Sequence, residues 1–291
     1  MKTKLLNILR LMFLYRPFEV VLTYFTSDSI FGSFISKIPP NHYQYKNPSL
    51  RKAKRNGIHY NLDISDIIDW YIYYGFREKS KELLLESIKE NDTVIDVGAN
   101  VGEISLRAAN IVGNKVGKIY SFEPDHINFN RFLNNMKINA VKNITPINKG
   151  LGNVDGVFSL SVVDENNRGM NRIVESNESL NTSKIEVIIL DNYMKLKNIT
   201  RVDLIKIDTE GFEMNVIKGA KDLLKRFRPI LFIELDEKNL IDQNSSPKEL
   251  INHLINLNYN IVNTNNNDTI SLNSELANCH FDIICKPIAN Y

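Results

Sequence analysis

The sequence predicts an α/β fold, in which helices cover both faces of a mostly parallel β-sheet. From about residue 80 onward, apolar runs of strand length alternate with segments of helical spacing, as in chains built from strand–helix–strand units. A buried strand over residues 93–97 leads through a glycine turn into a helix, which is typical of the first unit of such a sheet. The last two predicted strands have no helix between them, which predicts an antiparallel edge strand.

The predicted elements follow one another along the chain with short connections. Short apolar runs are typical of buried strands, and apolar residues three or four positions apart are typical of helices. The predicted strands are 93–97, 118–122, 144–148, 157–163, 184–190, 202–207, 230–235, 260–263 and 281–285. The predicted helices are 101–111, 127–138, 212–224 and 247–257. Because parallel strands bring their carboxyl ends to one edge of a sheet, a ligand site is expected there.

The first 80 residues lack this regular alternation. They predict an N-terminal helical extension or cap, residues 1–80, on a main domain of residues 81–291. Within the extension, the helical patterns are 66–74 and 79–88.

The N-terminal segment is apolar but not suited to cross a membrane. Arginine, proline and glutamate residues interrupt the apolar residues 1–25, whereas a spanning helix needs about 20 nearly uncharged ones. If residues 4–14 are helical, Lys4, Asn7 and Arg10 form one polar stripe and apolar residues fill the rest. Such a helix is expected to pack on its own domain or on a second subunit, with a membrane surface as the alternative.

The composition excludes two classes of protein. Hydrophobic residues make up 43% of the 291 positions and charged residues 24%, which excludes wholesale disorder. The 36 Lys and Arg against 34 Asp and Glu give a net charge of +2, so no nucleic-acid partner is expected.

The two cysteines give a separate indication. Cys279 and Cys285 are too few for a disulfide framework or a zinc site, and they are expected to be buried. This favours a reducing, cytoplasmic location, with membrane association left open.

The strongest motif is the turn over residues 96–102, which reads DVGANVG. Gly98 allows a tight turn after the strand, and Gly102 allows the new helix to approach the sheet. The dinucleotide fingerprint G-x-G-x-x-G would need Gly where Asn100 stands and Gly or Ala where Glu103 stands. No G-K-[ST] follows, so the turn is not a P-loop. It predicts a nucleotide-cofactor site of another kind.

Three acidic residues end predicted strands: Asp96, Glu123 and Asp208. Such a cluster would repel a pyrophosphate, but it suits a cofactor with a positive sulfur and an ammonium group, such as S-adenosylmethionine. Glu123 follows Gly98 by 25 positions, which is close to the roughly 20 expected for the acid that binds a ribose. The carboxylate of the cofactor is expected to meet the N–H groups at the helix start.

Together these motifs resemble those of the FkbM family of S-adenosylmethionine-dependent methyltransferases, over roughly residues 56–240. The motifs that carry the resemblance are 96–102, 122–124, 190–191, 205–213, 218–220 and 232–234. The glycine turn of the family commonly reads G-A-N-x-G, which Asn100 fits, whereas Thr209 stands where many members carry Val. The resemblance implies a seven-stranded, Rossmann-like class I methyltransferase sheet and, usually, O-methylation of a sugar or natural-product hydroxyl group.

The resemblance also implies which residues contact the cofactor. The glycine turn would cradle it, Glu123 would bind its ribose beside Pro124, and acids at strand ends would flank its methionine end. The implied cofactor-binding residues are Asp96, Gly98, Ala99, Asn100, Gly102, Glu123, Pro124 and Asp208. Residues 149–151, after the third strand, would lie near the adenine.

Methyl transfer to a hydroxyl group is helped by a base, because a sugar hydroxyl is protonated at neutral pH. Asp208 and Glu210 are the candidates, since they follow the fourth parallel strand. Lys206 is expected to keep Asp208 ionised or to orient the acceptor, and the alternative is an ion pair between Lys206 and Glu213. Asp208 and Glu210 also suit a divalent cation, but the sequence offers no clear third ligand, so no metal site is predicted.

The acceptor is expected to be a sugar or a glycosylated small molecule. The polar segment 164–182 is predicted to form part of its pocket, where Arg168 and Arg172 would meet an anionic group, and the alternative is a solvated loop. The aromatic cluster of residues 70–74 suits stacking on a sugar, although helical spacing favours a place in the core. Two further functions stay open: methylation of nitrogen or of a lipid-linked acceptor, and a catalytically silent scaffold with this fold.

Overall fold

The computed structural model describes residues 7–8, 10–26, 37–174 and 182–288 of the chain. Its strands are β1 (Leu50–Arg55), β2 (Ile58–Asp63), β3 (Thr93–Val97), β4 (Lys118–Phe122), β5 (Ile144–Ile147), β6 (Gly150–Gly152), β7 (Gly156–Ser161), β8 (Arg172–Val174), β9 (Thr182–Ile189), β10 (Leu204–Ile207), β11 (Ile230–Asp236), β12 (Tyr259–Asn263), β13 (Thr269–Ile270) and β14 (His280–Pro287). Its helices are α1 (Arg16–Thr26), α2 (Ile67–Tyr74), α3 (Lys79–Glu86), α4 (Glu103–Val112), α5 (His126–Ile138), α6 (Leu190–Leu196), α7 (Glu213–Gly219), α8 (Lys221–Phe227), α9 (Glu237–Asp242) and α10 (Pro247–Asn256).

Eight of the described strands form the main sheet, in the order β13-β12-β14-β11-β10-β3-β4-β5. Strands β11, β10, β3, β4 and β5 are parallel to one another, whereas β14 is antiparallel to both β11 and β12. This confirms the predicted class I methyltransferase architecture, a mostly parallel α/β sheet. The eighth strand is the two-residue β13, which forms an antiparallel edge beside β12.

The last strand of the chain does not form the edge of the sheet. It inserts between β11 and β12, and its residues Ile283 and Cys285 have no exposed surface. An inner position buries the apolar side chains of this strand more completely than an edge position would, and this favours the observed order. Cys279 is also buried, and both cysteines are free thiols, as expected.

Both faces of the main sheet are covered. Successive residues of a strand face opposite sides. Ile95 of β3 therefore packs in a cluster with α6, α7, α8 and α10, whereas Val94 packs in a second cluster with α2, α3, α4 and α5. Burial on both faces explains why these strands read as continuous apolar runs in the sequence.

Strands predicted at 157–163 and 184–190 belong to a separate, four-stranded sheet of order β6-β9-β7-β8. Its own small core contains Leu160, Val187 and Phe212. Because Phe212 lies directly before α7, this core joins the small sheet to the loop that follows β10.

The described part of residues 1–80 is not purely helical. Helices α2 and α3 match the predicted patterns, but β1 and β2 form an antiparallel hairpin that the sequence analysis missed. Strand β1 reads LRKAKR and has no buried residue, so it lacks the apolar signal of a strand. Residues 11–14 form a 3-10 helix, and the beginning of the predicted helix 4–14 lies outside the described residues. The domain boundary at residue 80 stays a prediction.

Among the described residues, none of the helices has both the length and the apolar character needed to cross a bilayer. The N-terminal 3-10 helix and α1 lie within residues 11–26, with Tyr15 between them.

Candidate active site

A cleft opens where the carboxyl ends of β3, β4, β10 and β11 meet. It encloses a cavity of about 380 Å³, which is within the range of small-molecule sites. Its floor and walls include most of the predicted site residues, namely Gly98, Ala99, Asn100, Glu123, Pro124, Lys149, Gly150, Leu151, Lys206, Asp208 and Glu210. Two predicted residues, Asp96 and Gly102, do not line it.

The turn after β3 is packed so closely that only glycine fits at its first bend. Gly98 has a φ of +78°, and a Cβ atom there would lie 1.9 Å from the carbonyl oxygen of Asp208. The N–H groups of Gly98 and Ala99 both donate to the carbonyl of Phe122, at 3.0 Å. The turn is therefore held between the ends of β4 and β10 and presents its backbone to the cleft.

Gly102 has a different role from the predicted one. Its φ is +87°, and a Cβ atom there would lie 2.0 Å from the ring of Phe132. Since Phe132 belongs to α5, Gly102 allows α4 to begin against a neighbouring helix rather than against the sheet. It supports the turn from outside the cleft.

Glu123 lies at the end of β4, where the sequence analysis put it. Its two carboxylate oxygens accept hydrogen bonds from the N–H groups of Asn100, at 2.7 Å, and Asp125, at 2.9 Å. Burial raises the pKa of Glu123 to about 8, although these two hydrogen bonds lower it. The side chain is thereby fixed in orientation on the wall of the cleft.

Lys206 links two of the predicted acids. Its Nζ lies 3.4 Å from Asp96 and 3.3 Å from Asp208, and it donates to the carbonyl oxygens of Val97 and Gly98, at 3.2 and 2.7 Å. Burial lowers the pKa of Lys206, but the two carboxylates outweigh it and the net shift is upward. Lys206 is therefore a buried cation that stabilises the glycine turn through the carbonyl oxygens of Val97 and Gly98.

The alternative ion pair between Lys206 and Glu213 is wrong. Glu213 instead accepts hydrogen bonds from the Thr209 N–H, the Thr209 hydroxyl and the Gly211 N–H, each at 3.0 Å. It therefore caps the turn between β10 and α7. Asp96 is fully buried beneath the glycine turn, where the Ser105 hydroxyl donates to it at 2.5 Å.

A third acid joins Asp208 and Glu210 at the edge of the cleft. One carboxylate oxygen each of Asp208, Glu210 and Glu234 lies within 4.8 Å of the other two. The sequence analysis missed Glu234 as a site residue. Ile233 of β11 pairs with Ile207 of β10, so Glu234 comes level with Asp208, and the parallel order of the strands was the signal that could have found it.

Glu210 and Glu234 hold their protons more tightly than an exposed glutamate does. Burial raises the pKa of Glu210 to about 8, and the charge of Asp208 adds to the effect. Burial also raises the pKa of Glu234 to about 10. Glu210 has a φ of +53°, and its carboxylate accepts a hydrogen bond of 2.7 Å from the side-chain amide of Asn239. A strained, oriented carboxyl group with a pKa near neutrality is suited to accept a proton.

The other side of the cleft is formed by α2, β14 and part of the predicted acceptor loop. Residues 167–171 line it, but the loop arginines are engaged within the protein. Arg168 pairs with Asp125 at 2.9 Å, and Arg172 pairs with Asp242 at 2.9 Å. Residues 175–181 of this loop lie outside the described residues.

The aromatic cluster on α2 is divided between core and cleft. Trp70, Tyr73 and Tyr74 are buried in the core, which the helical spacing favoured. Tyr71 is half-buried and lines the cleft. Of the cluster, Tyr71 is therefore the side chain placed to touch a bound molecule.

Comparison with known proteins agrees with this geometry. The model of the methyltransferase FkbM domain matches residues 96–261. The hexuronic acid methyltransferase AglP of Haloferax volcanii is 29% identical over 143 residues, which are 49% of this chain and 56% of that protein. Methyltransferase 1 of Beauveria bassiana is 25% identical over 151 residues, 46% of this chain and 60% of that protein. The chain thus spans little more than half the length of these curated relatives.

Among solved structures, a methyltransferase FkbM from Methylobacillus flagellatus is similar to 75% of this chain and 52% of its own, with 15% identity and a TM-score of 0.43.

Proposed function

Because the chain belongs to the family of FkbM-domain methyltransferases, we propose that it transfers a methyl group from S-adenosylmethionine to a hydroxyl group of a sugar or glycan. The observation that carries this proposal is the acid-lined cleft behind the glycine turn, at the carboxyl ends of β3, β4 and β10. The hexuronic acid methyltransferase among the relatives supports a sugar acceptor. We place the reaction in residues 81–291 and assign residues 1–80 as a cap.

The charges around the cleft fit a cationic methyl donor. Each lysine or arginine that lines the cleft is paired with a carboxylate, and the pairs are Lys81 with Glu78 and Glu103, Lys149 with Glu186, Arg168 with Asp125 and Glu165, and Lys206 with Asp96 and Asp208. No cation among these is left over for a pyrophosphate, whereas Asp96 and Asp208, which share the single charge of Lys206, suit a sulfonium and an ammonium group.

Individual residues suit the parts of the donor. Glu123 has its orientation fixed by two backbone donors and would accept the hydroxyl groups of the ribose. The backbone from Gly98 to Asn100 would approach the donor closely, because Gly98 leaves no side chain in the way. When bound, S-adenosylmethionine supplies a methyl carbon that is open to attack by a nucleophile.

Glu210 is the residue that we assign as general base, with Asp208 as the alternative. Its carboxyl group lies in the cleft, its pKa is raised to about 8, and the hydrogen bond from Asn239 orients it. A base with a pKa near the working pH takes a proton most efficiently. Lys206 is a positioning residue in this proposal, since it holds the carbonyl groups of the glycine turn and the carboxylate of Asp208.

Binding of the donor can be tested separately from catalysis. The melting temperature of the protein should rise with S-adenosylmethionine, because a ligand at about 100 times its Kd stabilises by about 2.7 kcal/mol. Glu123→Gln should lose most of this rise, whereas the exposed Glu90→Gln should keep it. If the unsubstituted protein shows no rise at millimolar donor, the alternative of a silent scaffold replaces the proposal.

The acceptor can then be identified with a labelled methyl donor. Incubation with oligosaccharides that contain uronic acids, and with neutral oligosaccharides, should place the label on an oxygen of one of them, as read by mass spectrometry and NMR. Label on nitrogen, or label only on a lipid-linked fraction, would contradict the preferred acceptor and support the alternative left open by the sequence.

A further inference from the structure

Helix α1 is turned the opposite way from a usual surface helix. It buries its acid, Glu19, which has no exposed surface, and it exposes Phe18, Val21 and Phe25 by between 49% and 57%. A helix on a globular protein normally directs its apolar stripe to the core and its charges to solvent. The exposed apolar side chains of α1 therefore do not contribute to the core of the protein.

The inward side of α1 is fixed by a hydrogen-bonded ion pair. Glu19 accepts from Arg51 at 2.6 and 2.9 Å, from Arg16 at 2.8 Å and from the hydroxyl of Tyr73 at 2.6 Å. Leu22 is buried on the same side of the helix. Rotation of α1 to hide its apolar face would break these bonds and leave a carboxylate buried without partners elsewhere, so the exposure is built into the fold.

The apolar surface continues into the segment before α1. Ile8, Leu11, Met12 and Tyr15 are each more than half exposed. Isolated exposed apolar residues are common, but a contiguous run of this size typically marks an interaction surface. We call the exposed apolar side chains of residues 8–25 the apolar face.

The part of the chain that carries the apolar face is rich in basic residues. Residues 1–62 contain ten Lys and Arg but only two acids, Glu19 and Asp28, whereas the whole chain has a net charge of +2. Arg16 of α1 and Lys52 of β1 line one cavity of about 720 Å³, which acidic residues also line, and Lys54 is exposed on the same strand as Lys52. Since Glu19 is buried and paired with Arg16 and Arg51, it does not balance the exposed charges of Lys52 and Lys54 on β1.

We propose that the apolar face is the docking surface for an anionic lipid bilayer, with α1 lying in the plane of the interface. Apolar side chains would enter the boundary between headgroups and acyl chains, and the surrounding lysine and arginine residues would attract anionic headgroups. A second copy of the chain fits this face less well. A two-fold interface would bring the two cationic regions against each other.

The docking surface adjoins the cleft through α2. Tyr73 of α2 bonds to Glu19 of α1, and Ile68 and Tyr71 of the same helix line the cleft. Docking would therefore hold the cleft close to the lipid surface. The inference does not depend on the proposed methyl transfer, because it concerns binding to lipid alone.

Vesicle flotation with the full chain tests the proposal. Vesicles of phosphatidylcholine with about 30% phosphatidylglycerol should carry the protein, pure phosphatidylcholine vesicles should carry it at least about tenfold more weakly, and salt raised to about 0.5 M should weaken binding to the anionic ones. Absence of binding to the anionic vesicles overturns the proposal.

Substitutions locate the surface. Phe18→Asp and Phe25→Asp should each reduce vesicle binding by at least about tenfold, whereas Leu196→Asp, at a leucine that is 75% exposed on α6, should leave it unchanged. Thermal unfolding of each variant checks that it is folded. Equal binding by all variants overturns the proposal.

A charge-reversed variant tests the cationic part. Lys52→Glu together with Lys54→Glu should weaken binding to anionic vesicles and not to neutral ones. Light scattering in solution checks the competing occupant. If Phe18→Asp converts a dimer to a monomer and the parent protein does not float with vesicles, the face belongs to a second copy and the proposal is wrong.

Discussion

Replacing Glu210 with glutamine removes the proposed base while keeping its shape. The pKa of Glu210 is raised to about 8, so about one tenth of the carboxyl groups are ionised at pH 7 and about nine tenths at pH 9. If the ionised form takes the proton from the acceptor, kcat/KM of the parent protein should rise about tenfold between these pH values. Glu210→Gln should be slower by about 10²–10⁴-fold, and its rate should not rise over this range.

The assay measures formation of S-adenosylhomocysteine at saturating donor, from pH 6 to pH 9.5, with the acceptor that the labelling experiment identifies. Donor affinity, from the shift of the melting temperature, should be unchanged in Glu210→Gln, because the loss is expected in the chemical step. The control Glu90→Gln alters an exposed glutamate outside the cleft and should follow the parent profile at every pH.

Two results would refute the assignment of Glu210. One is a Glu210→Gln variant that keeps the parent rate, and the other is a slower variant that keeps the tenfold rise with pH. In either case Asp208 would be the remaining candidate, and Asp208→Asn should then abolish the rise. If both variants turn over normally, neither carboxylate belongs in the mechanism.

Three further predictions each concern a single residue. Gly98→Ala should lower the free energy of unfolding by about 2–4 kcal/mol and weaken donor binding, because its Cβ would meet a carbonyl oxygen at 1.9 Å. Gly57→Ala is the control, since Gly57 has a similar φ of +80° but open space around it, and it should lower the free energy of unfolding by about 1–2 kcal/mol. Equal urea-denaturation curves for the two variants would contradict this. Asn239→Ala removes the hydrogen bond to Glu210 and should move the rise of kcat/KM about one unit toward alkaline pH, so an unmoved profile would show that the bond does not tune the base. Burial raises the pKa of Glu234 to about 10, so the folded state keeps a proton that the unfolded chain loses above about pH 4.5, and stability falls by up to about 1.4 kcal/mol per pH unit as the pH rises between these values. Glu234→Gln should therefore gain stability relative to the parent as the pH rises from 5 to 8, and a constant difference would contradict the shift.

The sequence was sufficient where one local pattern decides the structure. The acids Glu123 and Asp208 were found because each directly follows an apolar strand, and parallel strands bring such residues to one edge. Gly98 was found because a strand that ends in a tight turn before a helix needs a positive φ there, and the structure has +78°. These inferences require only the order of neighbouring elements.

The sequence was insufficient where contacts join distant parts of the chain. The partners of Lys206 depend on the register of β10 against β3, which pairs it with Asp96 across the sheet. The hairpin of β1 and β2 was missed because its first strand is held by ion pairs such as that of Arg51 with Glu19, and not by an apolar face. Strand β14 lies between β11 and β12, which are distant from it in the sequence, so no local pattern could predict its position in the sheet.

The charge balance at Lys206 explains why a glycine turn of this kind does not make a phosphate site here. A phosphate-binding turn needs donors that point to the ligand, from backbone N–H groups and often from a lysine. In this protein the Nζ of Lys206 is directed below the turn, to the carbonyl groups of Val97 and Gly98 and to two carboxylates, and an ammonium group has only three N–H donors. The N–H donors of Lys206 are therefore used within the turn, and Asp96 and Asp208, which share its single positive charge, leave a net negative charge beside the cleft. The same arrangement that excludes a pyrophosphate leaves the negative potential that a positively charged methyl donor requires.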